Sequence, residues 1–302
     1  MEINRYQEIL GIPVTGTLDE FTEAAIRNFQ LKNNILVTGI FDFNTTSILD
    51  SENGGFADTD SLKSIINNYP LPTNQYFGSE TKKEAIFLHH TAGWNNPYRV
   101  VDDWKNRPDL VATSYIIGGI NPTNKNAQYD GEIVKCFPEK YFAWHLGIGN
   151  TNLHRQSIGI ELCNFGYVTL ENGKYRTYKI YDGGKLIHNG VIVDPELIVD
   201  LKREFRGYRY YVKYSEQQIR SLKWLIEDIS KRHQIDPKLG LKERLLKFKD
   251  PFQAFEYDEN IRYGNPKGIY SHTNVSPKNK WGNWEKWDIF PQPEIIEMLL
   301  SL

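Results

Sequence analysis

His89, His272 and Asp288 are the residues whose types best suit metal-assisted hydrolysis. Two imidazoles, one carboxylate and an open coordination place would make a catalytic zinc site. Such a site brings the pKa of a water molecule down to about 7. His89 ends an apolar run, Ile86-Phe87-Leu88-His89-His90-Thr91-Ala92-Gly93. Successive side chains on a strand point to opposite faces, so one of His89 and His90 faces a site while the other packs or is solvated. In Ser157-Ile158-Gly159-Ile160-Glu161-Leu162-Cys163, alternation puts Ile158, Ile160 and Leu162 on one face. Glu161 falls on the other, between the small residues Gly159 and Cys163, where there is room for a ligand. It suits a general base for a water molecule; the same pattern also fits a solvated strand glutamate. Lys286, two residues before Asp288, is placed to stabilise an oxyanion or is an ordinary surface lysine. His145, in Ala143-Trp144-His145-Leu146-Gly147, fits a substrate cleft shared with Trp144 or a hydrogen-bonded core histidine. His154, His188 and His233 have no supporting pattern and read as surface or packing residues.

The elements that must carry these residues alternate. Strands are expected over residues 85–89, 115–117, 132–136 and 157–163, and helices over 98–106 and 216–232. The last helix opens with Ser215 and Gln218, a capping box, and buries Ile219, Leu222, Ile226 and Ile229. This pattern predicts an α/β domain with a central mixed β-sheet flanked by helices. A β-rich insertion, about residues 165–214, carries Asn172-Gly173 and Gly183-Gly184 turns. It reads as a wall of the cleft or a stabilising flap.

Ahead of this domain lies an internal repeat. Val14-Thr15-Gly16-Thr17-Leu18-Asp19 recurs 23 residues on as Val37-Thr38-Gly39-Ile40-Phe41-Asp42. Each copy reads as a glycine turn followed by a helix, with Asp19 and Asp42 as N-caps. Phe21, Ala25 and Phe29 share one face of the first helix, the second helix ends near Leu49, and a further helix precedes both over residues 5–10. The prediction is a small all-α module over residues 1–52, a linker at 53–62 within a polar, glycine-rich stretch, and the α/β domain over 63–302.

With 40% hydrophobic and 25% charged residues among 302, the chain can bury a sizeable core. A net charge of -2 argues against nucleic acid as a partner. Two cysteines are too few for a disulfide scaffold or an all-thiolate zinc site. No run approaches the roughly 20 apolar residues of a membrane span. The opening MEINRYQEIL is charged and unlike a signal peptide.

Residues from about 80 onward resemble the zinc N-acetylmuramoyl-L-alanine amidases related to phage amidases and peptidoglycan-recognition proteins. The motifs that carry the resemblance are Phe87-Leu88-His89-His90-Thr91-Ala92-Gly93, Ala143-Trp144-His145-Leu146-Gly147, Ser157-Ile158-Gly159-Ile160-Glu161, Ser271-His272 and Lys286-Trp287-Asp288. The resemblance implies Zn2+ at His89, His272 and Asp288, Glu161 as base and Lys286 as transition-state stabiliser. It implies a substrate cleft with Thr91, Trp144 and His145. Two departures are visible: Ile289-Phe290 stands where the family usually has Pro-Gly, and the loop between His272 and Asp288 is long. Residues 3–50 separately resemble a peptidoglycan-binding domain. Together they imply cleavage of the amide between N-acetylmuramic acid and L-alanine by a monomeric phage endolysin. It would be made in the host cytoplasm and released through a holin pore. The rival readings are a non-catalytic peptidoglycan receptor and a zinc peptidase cutting within the stem peptide.

Overall fold

The computed structural model of the chain describes residues 3–33, 35, 37–41, 45, 46, 48, 49, 66–182 and 185–302. The chain divides into two compact units, Met1–Asn67 and Asn68–Leu302.

In the first unit, helices Ile3–Ile9 and Glu20–Lys32 are organised by two buried glutamines, Gln7 and Gln30, 23 residues apart. Each side chain enters the Thr-Gly turn that follows its helix. Gln7 Oε1 accepts from the Thr15 and Gly16 N–H groups at 3.0 and 2.9 Å, and its amide donates to the Thr17 carbonyl and the Thr22 hydroxyl. Gln30 Oε1 accepts from Gly39 N–H at 2.9 Å, and its amide donates to the Ile40 carbonyl and the Thr45 hydroxyl. Buried polar side chains must find partners, so this pair gives the 23-residue period its physical form. Asp19 caps the second helix through Thr22 N–H at 2.8 Å.

The helix Glu20–Lys32 does not bury the expected Phe21-Ala25-Phe29 face. Thr22, Ile26 and Gln30 are the buried residues, and Phe21 is 64% exposed. The stripe is displaced by one position because Thr22 and Gln30 are pulled inward by the glutamine network. Phe29 is only partly buried, against Ile26, Phe41 and Leu49. The second cap, Asp42, and the expected linker lie outside the described residues.

The second unit is built on a mixed six-stranded sheet. Its strands are β1 (Ile66–Asn68), which straddles the boundary between the units, β2 (Ala85–His90), β3 (Tyr115–Ile117), β4 (Ile133–Lys135), β5 (Ser157–Leu162) and, late in the chain, Gly268–Ser271. The spatial order is β1, β4, β3, β5, β2, then Gly268–Ser271. β3, β5, β2 and Gly268–Ser271 run parallel, while β4 lies antiparallel to β3. The short central strands, buried along nearly their whole length, suit a sheet covered on both faces. Registers pair Phe87 with Gly159, His89 with Glu161, and Glu161 with Ile116, so these residues share one face. Helix Pro97–Trp104 brings Val101 and Trp104 against Ile116 and Val134, and helix Thr151–Gln156 brings Leu153 against Ala85 and Phe87. Helix Glu216–His233 has the expected capping box and buries Ile219, Leu222, Ile226 and Ile229.

Residues 167–212 form the β-rich insertion. Strands β6 (Tyr167–Glu171), β7 (Lys174–Thr177), β10 (Ile192–Val193), β11 (Ile198–Phe205) and β12 (Tyr208–Val212) make an antiparallel sheet in the order β10, β7, β6, β12, β11. β8 (Ile180–Asp182) and β9 (Lys185–His188) pair separately. Asn172 and Gly173 turn β6 into β7 with positive φ of 50° and 74°, the geometry expected of an Asn-Gly hairpin. The Gly183-Gly184 turn lies outside the described residues. Among the described residues, no helix is long and apolar enough to cross a membrane.

Candidate metal centre

Parallel strands deliver catalytic groups at their C-terminal ends, because the chain leaves the sheet there into loops. His89 is the penultimate residue of β2, Glu161 lies beside it on β5, and the final strand, Gly268–Ser271 (β13), ends just before His272. Asp288 arrives from the following loop, where its carbonyl accepts from Thr273 N–H at 2.8 Å. His89 Nδ1, His272 Nδ1 and Asp288 Oδ2 then meet in one buried spot. The separations are 2.9 Å between the two nitrogens, 3.0 Å from His272 to Asp288, and 3.5 Å from His89 to Asp288. His89, His272 and Asp288 form the group of potential metal ligands among the described residues.

The surrounding hydrogen bonds fix where the protons are. The Leu153 carbonyl can only accept, so Ser157 Oγ–H donates to it at 2.6 Å. The Ser157 oxygen is then free to accept from His145 Nε2–H at 2.9 Å. In a neutral ring this leaves His145 Nδ1 bare, and it accepts from His89 Nε2–H at 3.0 Å. His89 Nδ1 is therefore bare. On the other side, His272 Nε2–H donates to the Leu146 carbonyl at 2.9 Å, which turns His272 Nδ1 toward His89 and Asp288. Burial, and next the neighbouring His272, push the pKa of His89 down to about 3, so the ring is neutral. Burial holds His145 well below the ordinary histidine range. Two imidazole nitrogens and a carboxylate oxygen, all within 3.5 Å of one another, form a donor set that fits a divalent cation.

Glu161 Oε2 is buried without a hydrogen-bond partner. Burial, reinforced by the Asp288 charge, raises its pKa well above the usual carboxylate range, while Lys286 acts in the opposite sense. An unpartnered carboxyl with a raised pKa beside a metal site is the profile of a proton carrier. A cleft of about 640 Å³ opens over the centre, lined by Thr91, Trp144, His145, Glu161 and Lys286 among others. Trp144 stands edge-on to His154 at 4.9 Å, and the Thr91 hydroxyl accepts from Asn164 N–H at 3.2 Å. His90 turns to the opposite face of the sheet, where its Nδ1 meets the Tyr214 hydroxyl at 2.9 Å.

Two contributors, Ser157 and His154, are not expected from the sequence, and Gly159 plays the space-making part its size suggests. Ser157 ends the hydrogen-bond chain that orients His89. His154 is buried: its Nδ1 accepts from His145 N–H at 3.1 Å and its Nε2–H donates to the Ile148 carbonyl at 3.2 Å. Gly159 makes room, since a Cβ there would lie 2.7 Å from Thr113 Cγ2 and 3.1 Å from His145 Nδ1. Gly159 beside Glu161 was the one available signal that something approaches β5 closely.

A sequence model described as N-acetylmuramoyl-L-alanine amidase matches residues 79–281. The chain belongs to that family. The matched span of this amidase includes His89, Glu161 and His272; it stops before Lys286 and Asp288, which enter the centre through the geometry alone. A second model, for a peptidoglycan binding domain, matches residues 2–49, so the amidase carries an N-terminal peptidoglycan-binding domain. It is a peptidoglycan amidase in function. Among solved structures it is similar to a hydrolase, AmiA, from Staphylococcus aureus in complex with its ligand. That match is 11% identical, covers 84% of this chain and 87% of that one, and has a TM-score of 0.39. A mutant endolysin from Bacillus subtilis is 19% identical over 63% of this chain and 96% of that one, with a TM-score of 0.33. The N-acetylmuramyl-L-alanine amidase AmiD from E. coli, in complex with anhydro-N-acetylmuramic acid-L-Ala-D-gamma-Glu-L-Lys, is 23% identical over 53% of this chain and 48% of that one, with a TM-score of 0.31. No curated protein matches the chain.

Proposed function

We propose that this amidase is zinc-dependent, that His89, His272 and Asp288 hold the metal, and that it works as a monomeric phage endolysin. The observation that carries the metal assignment is the convergence of the two Nδ1 atoms and Asp288 Oδ2 on one buried spot. A bound zinc supplies Lewis acidity, which favours ionisation of water and polarises the scissile carbonyl. Glu161 accepts the proton of the attacking water and hands it to the L-alanine nitrogen as the amide C–N bond breaks. Its raised pKa suits both halves of that transfer. Lys286 sets its ammonium against the oxyanion that develops on the lactyl carbonyl. Thr91 and Trp144 line the path of the substrate, and His145 holds His89 in its ligating tautomer. The N-terminal domain keeps the enzyme on its polymer and raises the local substrate concentration.

The endolysin role, with cytoplasmic synthesis and holin-type release, is part of the same proposal. A receptor that only binds would gain nothing from a buried, unpartnered Glu161, which favours catalysis over the receptor reading. The test is incubation of the purified chain and zinc with muropeptides, followed by assay for newly freed N-terminal L-alanine. Intact muropeptide overturns the amidase reading, and fragments cut within the stem peptide support the peptidase instead.

A further inference from the structure

The insertion reaches the loop beside the metal centre through Arg206. β11 and β12 are joined by a two-residue turn, Arg206-Gly207, with φ of 51° and 89°. Glycine is at ease in the left-handed region; arginine is uncommon there and is held only when its surroundings require it. The Arg206 side chain is fully buried. Its Nη2 donates to the Thr273 carbonyl at 2.6 Å, and its Nη1 donates to the Ser276 and Lys286 carbonyls at 3.0 and 2.8 Å. The guanidinium also lies 4.2 Å from the Trp284 ring, and Nε is 3.6 Å from Glu256 Oε2. The clamp is reciprocal: Trp287 Nε1–H donates back to the Arg206 carbonyl at 3.2 Å. Trp287 in turn packs against Tyr167 and Tyr208 of β6 and β12.

These contacts have one thing in common. Thr273 follows the ligand His272, Lys286 is itself at the cleft, and Trp287 precedes the ligand Asp288. One planar cation with several fixed donors thus ties the turn after one ligand to the segment before another. The loop is otherwise anchored near its start, where Asn274 donates to the Ala254 and Glu256 carbonyls and Arg262 donates to the Val275 carbonyl, and Arg206 is the side chain that also reaches its end at Lys286.

We infer that Arg206 is a positioning residue, and that the insertion serves as a brace that presets the loop carrying Lys286 and Asp288 for metal binding and catalysis. The inference rests on the metal reading proposed above. It assigns the insertion a task different from lining the cleft or covering the fold.

The test compares wild type with Arg206→Lys in the full chain. Lysine keeps the charge but cannot span three carbonyls. Groups that orient metal ligands typically contribute 10–100-fold in metal affinity or activity. Arg206→Lys is therefore expected to weaken zinc binding about 10–100-fold, measured by competition with a chelator, and to lower kcat more than it changes KM. In the metal-free protein, amide hydrogen exchange should quicken over residues 273–288 and stay unchanged in β2 and β5. Wild-type zinc affinity and wild-type exchange in Arg206→Lys overturn the proposal, as does a general loss of stability with zinc affinity unaltered. If Arg206→Lys does not fold, Trp287→Phe removes the return bond and should loosen zinc in the same direction; unchanged affinity there also overturns it. A wild-type chain that binds no zinc sinks the metal reading instead, while the exchange measurement still decides whether the brace exists.

Discussion

Replacing His145 tests the hydrogen-bond chain behind the metal centre. His89 Nε2–H has one acceptor, His145 Nδ1 at 3.0 Å, in a place where His89 is 1% exposed and water cannot substitute. In His145→Leu, a protein holding His89 in its ligating tautomer leaves that N–H orphaned. An unpaired buried donor costs roughly 1–3 kcal/mol. The alternative is for His89 to move its proton to Nδ1, which removes one of the proposed ligand atoms. Either way, zinc binding must supply the difference, and with about 1.4 kcal/mol per tenfold the dissociation constant rises roughly 5–150-fold. His145→Asn offers an amide oxygen near the original Nδ1 and should recover most of the affinity. The assay is chelator competition on metal-free protein, with nitrogen NMR of His89 to read its tautomer. Wild-type zinc affinity in His145→Leu, with the His89 proton still on Nε2, would refute the tautomer argument.

Other perturbations reach other parts of the molecule. Glu161→Gln keeps the shape and zinc content but should lower kcat about 10²–10⁴-fold, the usual worth of a positioned proton carrier; retained activity removes Glu161 from the mechanism. The metal-free protein should be acid-labile. Burial lowers His89 to a pKa of about 3, and His90 and His154 to about 4. Each takes up its proton only after the unfolded chain has done so near pH 6.5, so its share of stability is present above 6.5 and is lost as pH falls toward 4 and below. Thermal melts across that range should slope downward by up to ~1.4 kcal/mol per pH unit for each histidine, and a flat profile contradicts the burial. Gln7→Leu should cost the first unit about 2 kcal/mol, since several net hydrogen bonds are lost at once. Hydrogen exchange confined to that unit reads the effect, and unchanged protection there excludes the glutamine latch.

Local periodicities were readable where a stretch decides its own neighbours. Strand alternation separated Glu161 from Ile158, Ile160 and Leu162, and the registry of β2 with β5 places Glu161 directly beside His89. The capping box and buried face of Glu216–His233 are equally local. The helix Glu20–Lys32 misled because its buried stripe is partly polar: Thr22 and Gln30 go inward for hydrogen bonds that an apolar count does not register. His154 and Ser157 looked ordinary because their importance lies in what they hold, the backbone and the ring of His145, whose own partner is far back in the chain. Arg206 was illegible for the same reason, its three carbonyl partners lying 67–80 residues away.

Metal content against a ligand knockout addresses the centre most directly. Wild-type protein dialysed against limiting zinc is expected to carry one ion per chain and to free N-terminal L-alanine from muropeptides. His272→Ala is expected to carry none and to free none while keeping the wild-type circular dichroism. Stoichiometric zinc and full hydrolysis in His272→Ala would contradict the assignment of His89, His272 and Asp288 as the metal site.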